Sequence, residues 1–370
     1  MTHLLAVLLT TQVIAIRAGR VLDPETASAS LHQIILVQSG RIGAIGPDVA
    51  IPAGATVYDL SSATIIPGLI DAHVHLAIGG PVRSNALADL QAGFTTVVDL
   101  GSRTTRLLRI RDSINAGEIP GPRVYAAGIW VGRKDGVCEF GGIGIAGGAE
   151  GFRARVRENV AAGADFIKVC VTGWPADAYA HPNDYELPDS TLKAVVDAAH
   201  ADRRRVIAHD ISLGGVRAGL AAGIDGLAHT AYLDSVTARL MRTRAVFMIP
   251  TLASLPAGTP GAAGRALIES VGLAQRHGVR LVFGTDGGVL PHGQNAKEFV
   301  AMSEAGVPLA ELLRSATVNA ARAFGLDSLG QIRQGMVADL VALNADPRED
   351  VTAYQKVRFV MSRGRVIVSP

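Results

Sequence analysis

The chain contains an apolar run that ends on two histidines, Leu69-Ile70-Asp71-Ala72-His73-Val74-His75. The run follows the turn signal Pro67-Gly68, which predicts a buried β-strand. Residues two apart on a strand face the same side, so His73 and His75 should point together into the core. Two imidazoles side by side can chelate a metal ion, although a His-x-His pair alone is also typical of two packed core histidines.

Seven further apolar runs follow the first and alternate with helical patterns such as 150–162, 190–202 and 261–277. This alternation predicts a parallel sheet with right-handed crossovers. The eight predicted strands cover residues 69–75, 95–101, 124–130, 166–172, 206–210, 226–230, 245–252 and 281–286. Eight strands close a barrel, whereas an open doubly wound sheet would have fewer. The sequence therefore predicts an α/β fold, a (β/α)8 TIM barrel.

Both ends of the chain show short apolar stretches separated by turn signals such as Asp-Pro, Ser-Gly and Arg-Gly. This texture is typical of small antiparallel strands. We therefore expect residues 1–67 and 328–370 to form one composite β-sandwich domain and residues 68–327 to form the barrel.

A lysine, Lys168, lies on the inward face of the fourth predicted strand. Burial in an apolar barrel lowers the pKa of a lysine and favours its neutral amine, which can add carbon dioxide. The resulting carbamate has two oxygens that can bridge two cations. The alternative is a lysine that snorkels to solvent or forms an ion pair.

Three more potential ligands stand at the ends of predicted strands: His209, His229 and Asp286. Each histidine alone is compatible with a packed core residue, and the aspartate with a helix cap. Their coincidence with two histidines and a lysine at one rim of the barrel predicts a metal site.

These residues, in this order, resemble the ligand set of the amidohydrolase superfamily. The similarity extends to residues 64–71 at the domain junction and to residues 335–341, where the chain returns to the β-domain. Within the superfamily the chain looks closest to imidazolonepropionase-like enzymes and to metal-dependent dipeptidases that act on Xaa-Pro or Xaa-Arg/Lys peptides.

The resemblance implies two divalent metal ions, with zinc as the default and manganese, cobalt or iron as alternatives. It places His73, His75 and Asp286 on the more buried ion and His209 and His229 on the more exposed one. Lys168, N6-carboxylated, would bridge them. A metal-bridging hydroxide would then attack the substrate carbonyl, with Asp286 as general base and afterwards general acid.

Four other residues are candidates for substrate contacts. Tyr232 would donate a hydrogen bond to the developing oxyanion, or else pack at the start of the next helix. Trp174 and His181 lie in the segment 172–188, which exceeds the ordinary βα connection of about 2 to 6 residues and suits a lid. His292 follows strand eight, where a solvated loop histidine is the alternative.

One position departs from the dipeptidase group. Where relatives often carry Gly-Gly-His-Gly after strand three, this chain has Gly-Gly-Ile-Gly at residues 141–144, with Ile143 in place of the histidine. Because isoleucine cannot hydrogen-bond a carbonyl or carboxylate, the pocket is expected to suit a less polar amide, carbamate or urea.

The sequence thus predicts a binuclear hydrolase that cleaves a C–N bond of a small substrate, such as an Xaa-Pro or Xaa-Arg/Lys dipeptide or an N-acyl amino acid. One alternative is a hydrolase of carbamates, ureas, aryl amides or cyclic amides of the imidazolonepropionase type. A single-metal deaminase is opposed by Lys168, since a bridge serves two ions. A third alternative, a catalytically inactive barrel scaffold, is opposed by the complete ligand set.

Composition narrows the choice of partners. The 370 residues carry a formal charge of +2, from 35 Lys and Arg against 33 Asp and Glu, which predicts no binding to nucleic acid or anionic membrane. No apolar run reaches the roughly 18 to 20 residues of a membrane-spanning helix. We expect a homo-oligomer that acts on a small molecule or a dipeptide.

The cellular location depends on the first ten residues. Their apolar run lacks a Lys or Arg before it and is interpreted as a signal remnant or a poor signal peptide. We expect a cytoplasmic protein, or a secreted or periplasmic one if residues 1–10 are a signal remnant. Cys138 and Cys170 lie far apart, and their spacing indicates neither a thiolate zinc site nor a disulfide framework.

Overall fold

The computed structural model of the chain describes residues 12–255 and 261–370. The predicted signal remnant in residues 1–10 lies outside the described residues. Within the described part, no helix is long and apolar enough to cross a membrane.

The strands and helices follow in chain order. The strands are β1 (Ile14–Leu22), β2 (Ala29–Gln38), β3 (Arg41–Gly46), β4 (Thr56–Pro67), β5 (Leu69–Val74), β6 (Phe94–Asp99), β7 (Arg123–Ala126), β8 (Ile167–Cys170), β9 (Val206–His209), β10 (Gly226–Ala228), β11 (Phe247–Ile249), β12 (Leu340–Leu343), β13 (Val357–Ser362) and β14 (Arg365–Val368). The α-helices are α1 (Val82–Gln91), α2 (Arg106–Ala116), α3 (Gly148–Ala161), α4 (Pro175–Ala180), α5 (Asp189–Ala201), α6 (Leu213–Ala222), α7 (Ser235–Thr243), α8 (Gly261–Arg276), α9 (Lys297–Glu304), α10 (Leu309–Arg314) and α11 (Ala320–Phe324). Shorter turns are the 3-10 segments Leu252–Ser254 and Val351–Gln355 and the π-helical segment Ser315–Asn319.

Seven strands from the two chain ends form one sheet, in the order β14-β13-β12-β4-β1-β2-β3. The ends meet where β12 pairs antiparallel with β4, with Leu340 opposite Pro67. Buried Ile16, Ile35 and Phe359 belong to the core of this sheet. The predicted composite β-domain therefore draws on both termini, while its boundaries at residues 67 and 328 stay predictions.

The barrel strands pair in parallel as β5-β6-β7 and β8-β9-β10-β11. The bridge between Val131 and Val169 joins the first group to the second. Residues 281–287 complete the ring, since Leu281 bridges Met248 and Gly287 bridges Val74. Eight parallel segments thus close on themselves, and the predicted α/β fold with a TIM barrel is confirmed.

The eighth segment differs from the prediction because it pairs only through isolated bridges. At Gly284 a Cβ atom would lie 2.4 Å from Ile249 Cγ2 and 2.9 Å from His73 Cβ, so the backbone passes very close to its neighbours. Asp286 then adopts a left-handed conformation with φ 58°. This path ends regular pairing but directs Asp286 towards the histidines.

The helices follow local capping signals. Helix α6 begins after Ser212, whose Oγ accepts a hydrogen bond from Gly215 N, and it ends at Gly223 with φ 95°. The predicted helices 150–162, 190–202 and 261–277 appear as α3, α5 and α8. The segment 172–188, predicted as a lid loop, contains the short helix α4.

Candidate metal centre

The carboxyl ends of the barrel strands bring together the first three predicted ligands. Asp286 Oδ1 lies 3.3 Å from His73 Nε2 and 3.3 Å from His75 Nε2. One donor atom from each residue lies within 4.8 Å of the others. This spacing allows the three side chains to hold a single cation.

Two further histidines continue the set across the barrel mouth. The ring centroids of His73 and His229 are 4.9 Å apart, and those of His229 and His209 are 4.8 Å apart. Burial lowers the pKa of His229 to about 4 and that of His209 well below its ordinary value. Both rings are therefore neutral at physiological pH, as a metal ligand must be.

Lys168 lies beneath these rings, on β8. Its side chain is among the largest fully buried ones, and its Nζ has no hydrogen-bond partner. Burial lowers the pKa of Lys168 to about 7, although the nearby Asp286 carboxylate acts in the opposite direction. A substantial fraction of this amine is therefore neutral near pH 7.

The unsatisfied polar atoms test whether this donor set fits metal ions. Lys168 Nζ, His209 Nε2 and both ring nitrogens of His73 are buried without a hydrogen-bond partner. Buried polar groups without partners destabilise a fold, so such a cluster needs another source of stabilisation. Imidazole nitrogens and carboxylate oxygens are suitable ligands for zinc and related cations, so these residues fit a metal centre.

Hydrogen bonds behind the rings set their tautomers. His75 Nδ1 lies 3.0 Å from Gly101 O, and because a carbonyl only accepts, this nitrogen carries the proton. The Thr251 hydroxyl donates to Pro250 O at 2.7 Å and must therefore accept from His229 Nδ1 at 2.6 Å. Both histidines consequently keep the Nε2 lone pair for a metal ion.

A cavity of about 460 Å³ opens above these ligands. Its wall is mostly apolar and aromatic. The lining residues are His73, His75, Ile78, Trp130, Val137, Cys138, Phe140, Lys168, Trp174, Pro175, Ala176, Tyr179, His209, Ile211, His229, Thr251, Ser254, Leu255, Leu267, Asp286 and Val289.

Comparison with known proteins identifies the family. The sequence pattern described as "Amidohydrolase family" matches residues 64–367. The chain belongs to the amidohydrolase family. As an amidohydrolase it is a hydrolase that acts on C–N bonds, and the predicted superfamily is confirmed.

This amidohydrolase is similar in sequence or structure to the following three known proteins. It is 26% identical over 369 residues to an ochratoxinase of Aspergillus niger, covering 83% of this chain and 76% of the relative. It is 31% identical over 343 residues to an uncharacterised protein of Mycobacterium tuberculosis (strain ATCC 25618 / H37Rv), covering 85% and 87%. The crystal structure of a Xaa-Pro dipeptidase with bound methionine superposes with a TM-score of 0.87 at 27% identity, covering 96% of this chain and 99% of that one.

The structure places the four predicted substrate contacts in different surroundings. Trp174 lines the cavity and is half exposed. Tyr232 Oη donates to Tyr179 O at 2.7 Å, and His181 lines a separate cleft. His292 Nδ1 lies 2.8 Å from Asp89 Oδ2, and its Nε2 lies 3.4 Å from the backbone oxygen of His75. The Tyr232 hydroxyl and the His292 ring therefore have protein partners in this amidohydrolase, and the substrate contacts of all four residues stay predictions.

The two cysteines form a disulfide, which their spacing in the sequence did not predict. Cys138 and Cys170 are 32 residues apart in sequence and form a disulfide. The spacing did not indicate this pair, because it forms only when the loop after β7 folds over β8. The disulfide connects the cavity wall at Cys138 to the strand that carries Lys168. Ile143 packs beside this pair.

Two buried acids that were not predicted as site residues support the proposed ligands. Asp71 Oδ1 accepts hydrogen bonds from His73 N and Thr285 N, and its Oδ2 accepts from Thr285 Oγ1 and Asn295 Nδ2. This carboxylate thus ties β5 to the segment before Asp286. Its place inside an apolar strand was a usable signal. Glu298, on α9, had no such signal in the sequence.

Glu298 supports the turn that carries Thr251. Its two carboxylate oxygens accept hydrogen bonds from Leu252 N at 3.0 Å and Ala253 N at 2.6 Å. Thr251 itself is left-handed, with φ 55°. Non-glycine residues in this conformation are strained and persist where the surroundings hold them. The amidohydrolase therefore holds Thr251 against His229 through α9.

We predict that Thr251→Val lowers kcat/KM or metal affinity by about 10- to 100-fold, because His229 loses the acceptor that orients its ring. Thr230→Val is the matched control, since this buried hydroxyl beside the same histidine has no hydrogen-bond partner. Metal titration followed by activity assays would measure metal affinity and kcat/KM for both variants. Equal behaviour of the two variants would contradict the orienting role.

Proposed function

We propose that this amidohydrolase hydrolyses the C–N bond of a small, uncharged and largely apolar amide, carbamate or urea. The observation that carries the proposal is the charge of the cavity wall. Among the described residues, Lys168 is the only lysine or arginine that lines it. A dipeptide or an N-acyl amino acid would bring a carboxylate into this space without a cationic side chain to pair with, which is costly.

In the described part of the chain, the other lysines and arginines do not line the cavity. Arg133, which follows strand three, lines the separate cleft with His181 and lies 3.7 Å from Glu186. Residues 256–260 read Pro-Ala-Gly-Thr-Pro and contain no basic residue. The cavity therefore favours the less polar of the predicted substrate classes over an Xaa-Pro or Xaa-Arg/Lys dipeptide.

Two divalent metal ions, zinc by default, belong to this proposal. We infer that His73, His75 and Asp286 would hold one, that His209 and His229 would hold the other, and that N6-carboxylated Lys168 would serve both. When bound, such ions lower the pKa of a water molecule and polarise the substrate carbonyl. The orphaned nitrogen atoms of Lys168, His209 and His73 support this arrangement.

Asp286 is the proposed proton carrier. Although burial opposes its ionisation, His73, His229 and His75 together hold the pKa of Asp286 well below its ordinary value. The carboxylate is thus available to accept a proton from the attacking water and to deliver it to the leaving nitrogen. The apolar walls limit competing water.

The cavity volume also limits the size of the substrate. About 460 Å³ lies within the roughly 300 to 1,000 Å³ of small-molecule sites, which supports a small substrate. An ochratoxinase and a Xaa-Pro dipeptidase share this fold, so the lining rather than the fold must select the substrate. The homo-oligomer and the cytoplasmic location stay predictions.

Two anilides that differ by one carboxylate group test the proposal. The metal-loaded enzyme is expected to cleave acetanilide with a kcat/KM at least about tenfold above that for 4-acetamidobenzoate, because the cavity wall offers the added carboxylate no cationic side chain. Alanyl-proline, phenylurea and a phenylcarbamate complete the panel, with product release followed by chromatography. Faster cleavage of the charged anilide or of the dipeptide would contradict the proposal, as would no cleavage of any neutral compound.

A further inference from the structure

Three aromatic rings line one side of the cavity in series, starting beside a metal ligand. The ring centroids lie 5.4 Å apart from His75 to Trp130, 4.6 Å from Trp130 to Phe140 and 6.1 Å from Phe140 to Trp174. We call Trp130, Phe140 and Trp174 the aromatic subsite. It runs from the proposed reaction centre towards the mouth of the cavity.

Exposure increases outwards along the aromatic subsite. Trp130 is 4% exposed, Phe140 is partly buried and Trp174 is 50% exposed. Core packing accounts for Trp130, but it does not account for a half-exposed indole at the mouth. Phe140 and Trp174 thus leave apolar ring surface uncovered where a bound molecule would lie.

Local structure holds the inner part of the subsite in place. A Cβ atom on Gly101 would lie 2.5 Å from the Trp130 ring, so only glycine lets the indole rest on this backbone. Phe140 follows Cys138 by two residues, and the disulfide to Cys170 anchors that loop to β8. Because such an apolar wall is already rigid, ligand binding does not carry the entropy cost of ordering the wall.

We propose that the aromatic subsite binds a planar aromatic ring of the substrate, on the part that extends from the scissile C–N bond towards the mouth. The inference rests on the proposed function and specifies its substrate class as amides, carbamates or ureas that carry an aryl or arylalkyl group. Phe140 and Trp174 determine this specificity. Aromatic pairs favour centroid separations of about 4.5 to 7 Å, the range already present along the series.

Intrinsic fluorescence can measure the subsite directly, because the chain has two tryptophans and both belong to it. The metal-loaded full chain is titrated with 1-phenylpropan-2-one and 1-cyclohexylpropan-2-one, two neutral ketones that present a carbonyl but no C–N bond. The phenyl ketone is expected to bind more tightly than the cyclohexyl ketone, by about two- to tenfold for each contact between its ring and an aromatic side chain.

Leucine variants separate aromatic contact from apolar volume. Phe140→Leu and Trp174→Leu are expected to remove most of the phenyl preference while the cyclohexyl ketone binds about as before. Val289→Ala, at another exposed position on the cavity wall, is the control and should leave the ratio unchanged. Thermal unfolding midpoints near that of the parent chain verify that each variant is folded.

The outcomes distinguish the inference from the proposed function. Equal binding of the two ketones, or a phenyl preference that survives both leucine variants, would overturn the aromatic subsite even if neutral amides are hydrolysed. A phenyl preference that both variants remove would support the subsite. If no amide, carbamate or urea were then cleaved, the proposed function would fail while the subsite remained.

Discussion

Replacing Lys168 with methionine is expected to abolish turnover while the chain stays folded. Methionine fills a similar volume, so the buried site on β8 is not left as a cavity. It cannot form a carbamate, so the two proposed metal ions would lose the ligand proposed to bridge them. Loss of a group that only supports a metal ligand lowers metal affinity or activity by about 10- to 100-fold. Loss of a ligand itself should therefore lower kcat/KM by more than about 100-fold.

Lys193→Ala is the matched control, since this lysine is exposed and pairs with Asp197 on the surface of α5.

A carbamate signal in ¹³C NMR after incubation with labelled bicarbonate provides a second readout. With a pKa of about 7, Lys168 is mostly protonated at pH 6 and mostly neutral at pH 8. The signal should therefore rise with pH at constant dissolved carbon dioxide and be absent from Lys168→Met. Parent-like activity of that variant would contradict the bridging role.

Asp286→Asn is expected to lower kcat by about 10²- to 10⁴-fold, the usual contribution of a general acid and base. The amide has nearly the same shape but cannot accept the proton from water. Because its oxygen still offers a lone pair, metal content should fall less than kcat. Steady-state kinetics with elemental analysis would measure the two effects.

Asp210→Asn is the control for that substitution. Asp210 is also fully buried, but neither of its carboxylate oxygens has a hydrogen-bond partner. Burial raises the pKa of Asp210 well above its ordinary value and so favours the uncharged acid, which an amide resembles. An amide there should leave kcat near that of the parent. A similar small effect at Asp286 would contradict its role as proton carrier.

The barrel and its rim of ligands could be predicted from the sequence because both depend on short-range patterns. Apolar runs alternating with helices indicated the strands, and the two-residue repeat placed Lys168 on the inward face of β8. The eighth segment was harder to define, since the close approach at Gly284 interrupts its pairing. No local pattern reports such an approach.

The surroundings of the ligands could not be predicted in the same way. Glu298 supports Thr251 from 47 residues further along the chain, and Cys138 reaches Cys170 only after a loop folds over β8. Tyr232 is left-handed, with φ 56°, and its hydroxyl meets the backbone of Tyr179. Such contacts depend on tertiary structure, and no local sequence pattern reports them.

Metal content per chain is the most direct test of the account. Elemental analysis of the purified protein, after loading with zinc and removal of free metal, is expected to give two ions for the parent chain and fewer for Lys168→Met. A parent chain that binds no metal under any loading condition, or that is fully active with one ion, would contradict the proposed two-metal centre.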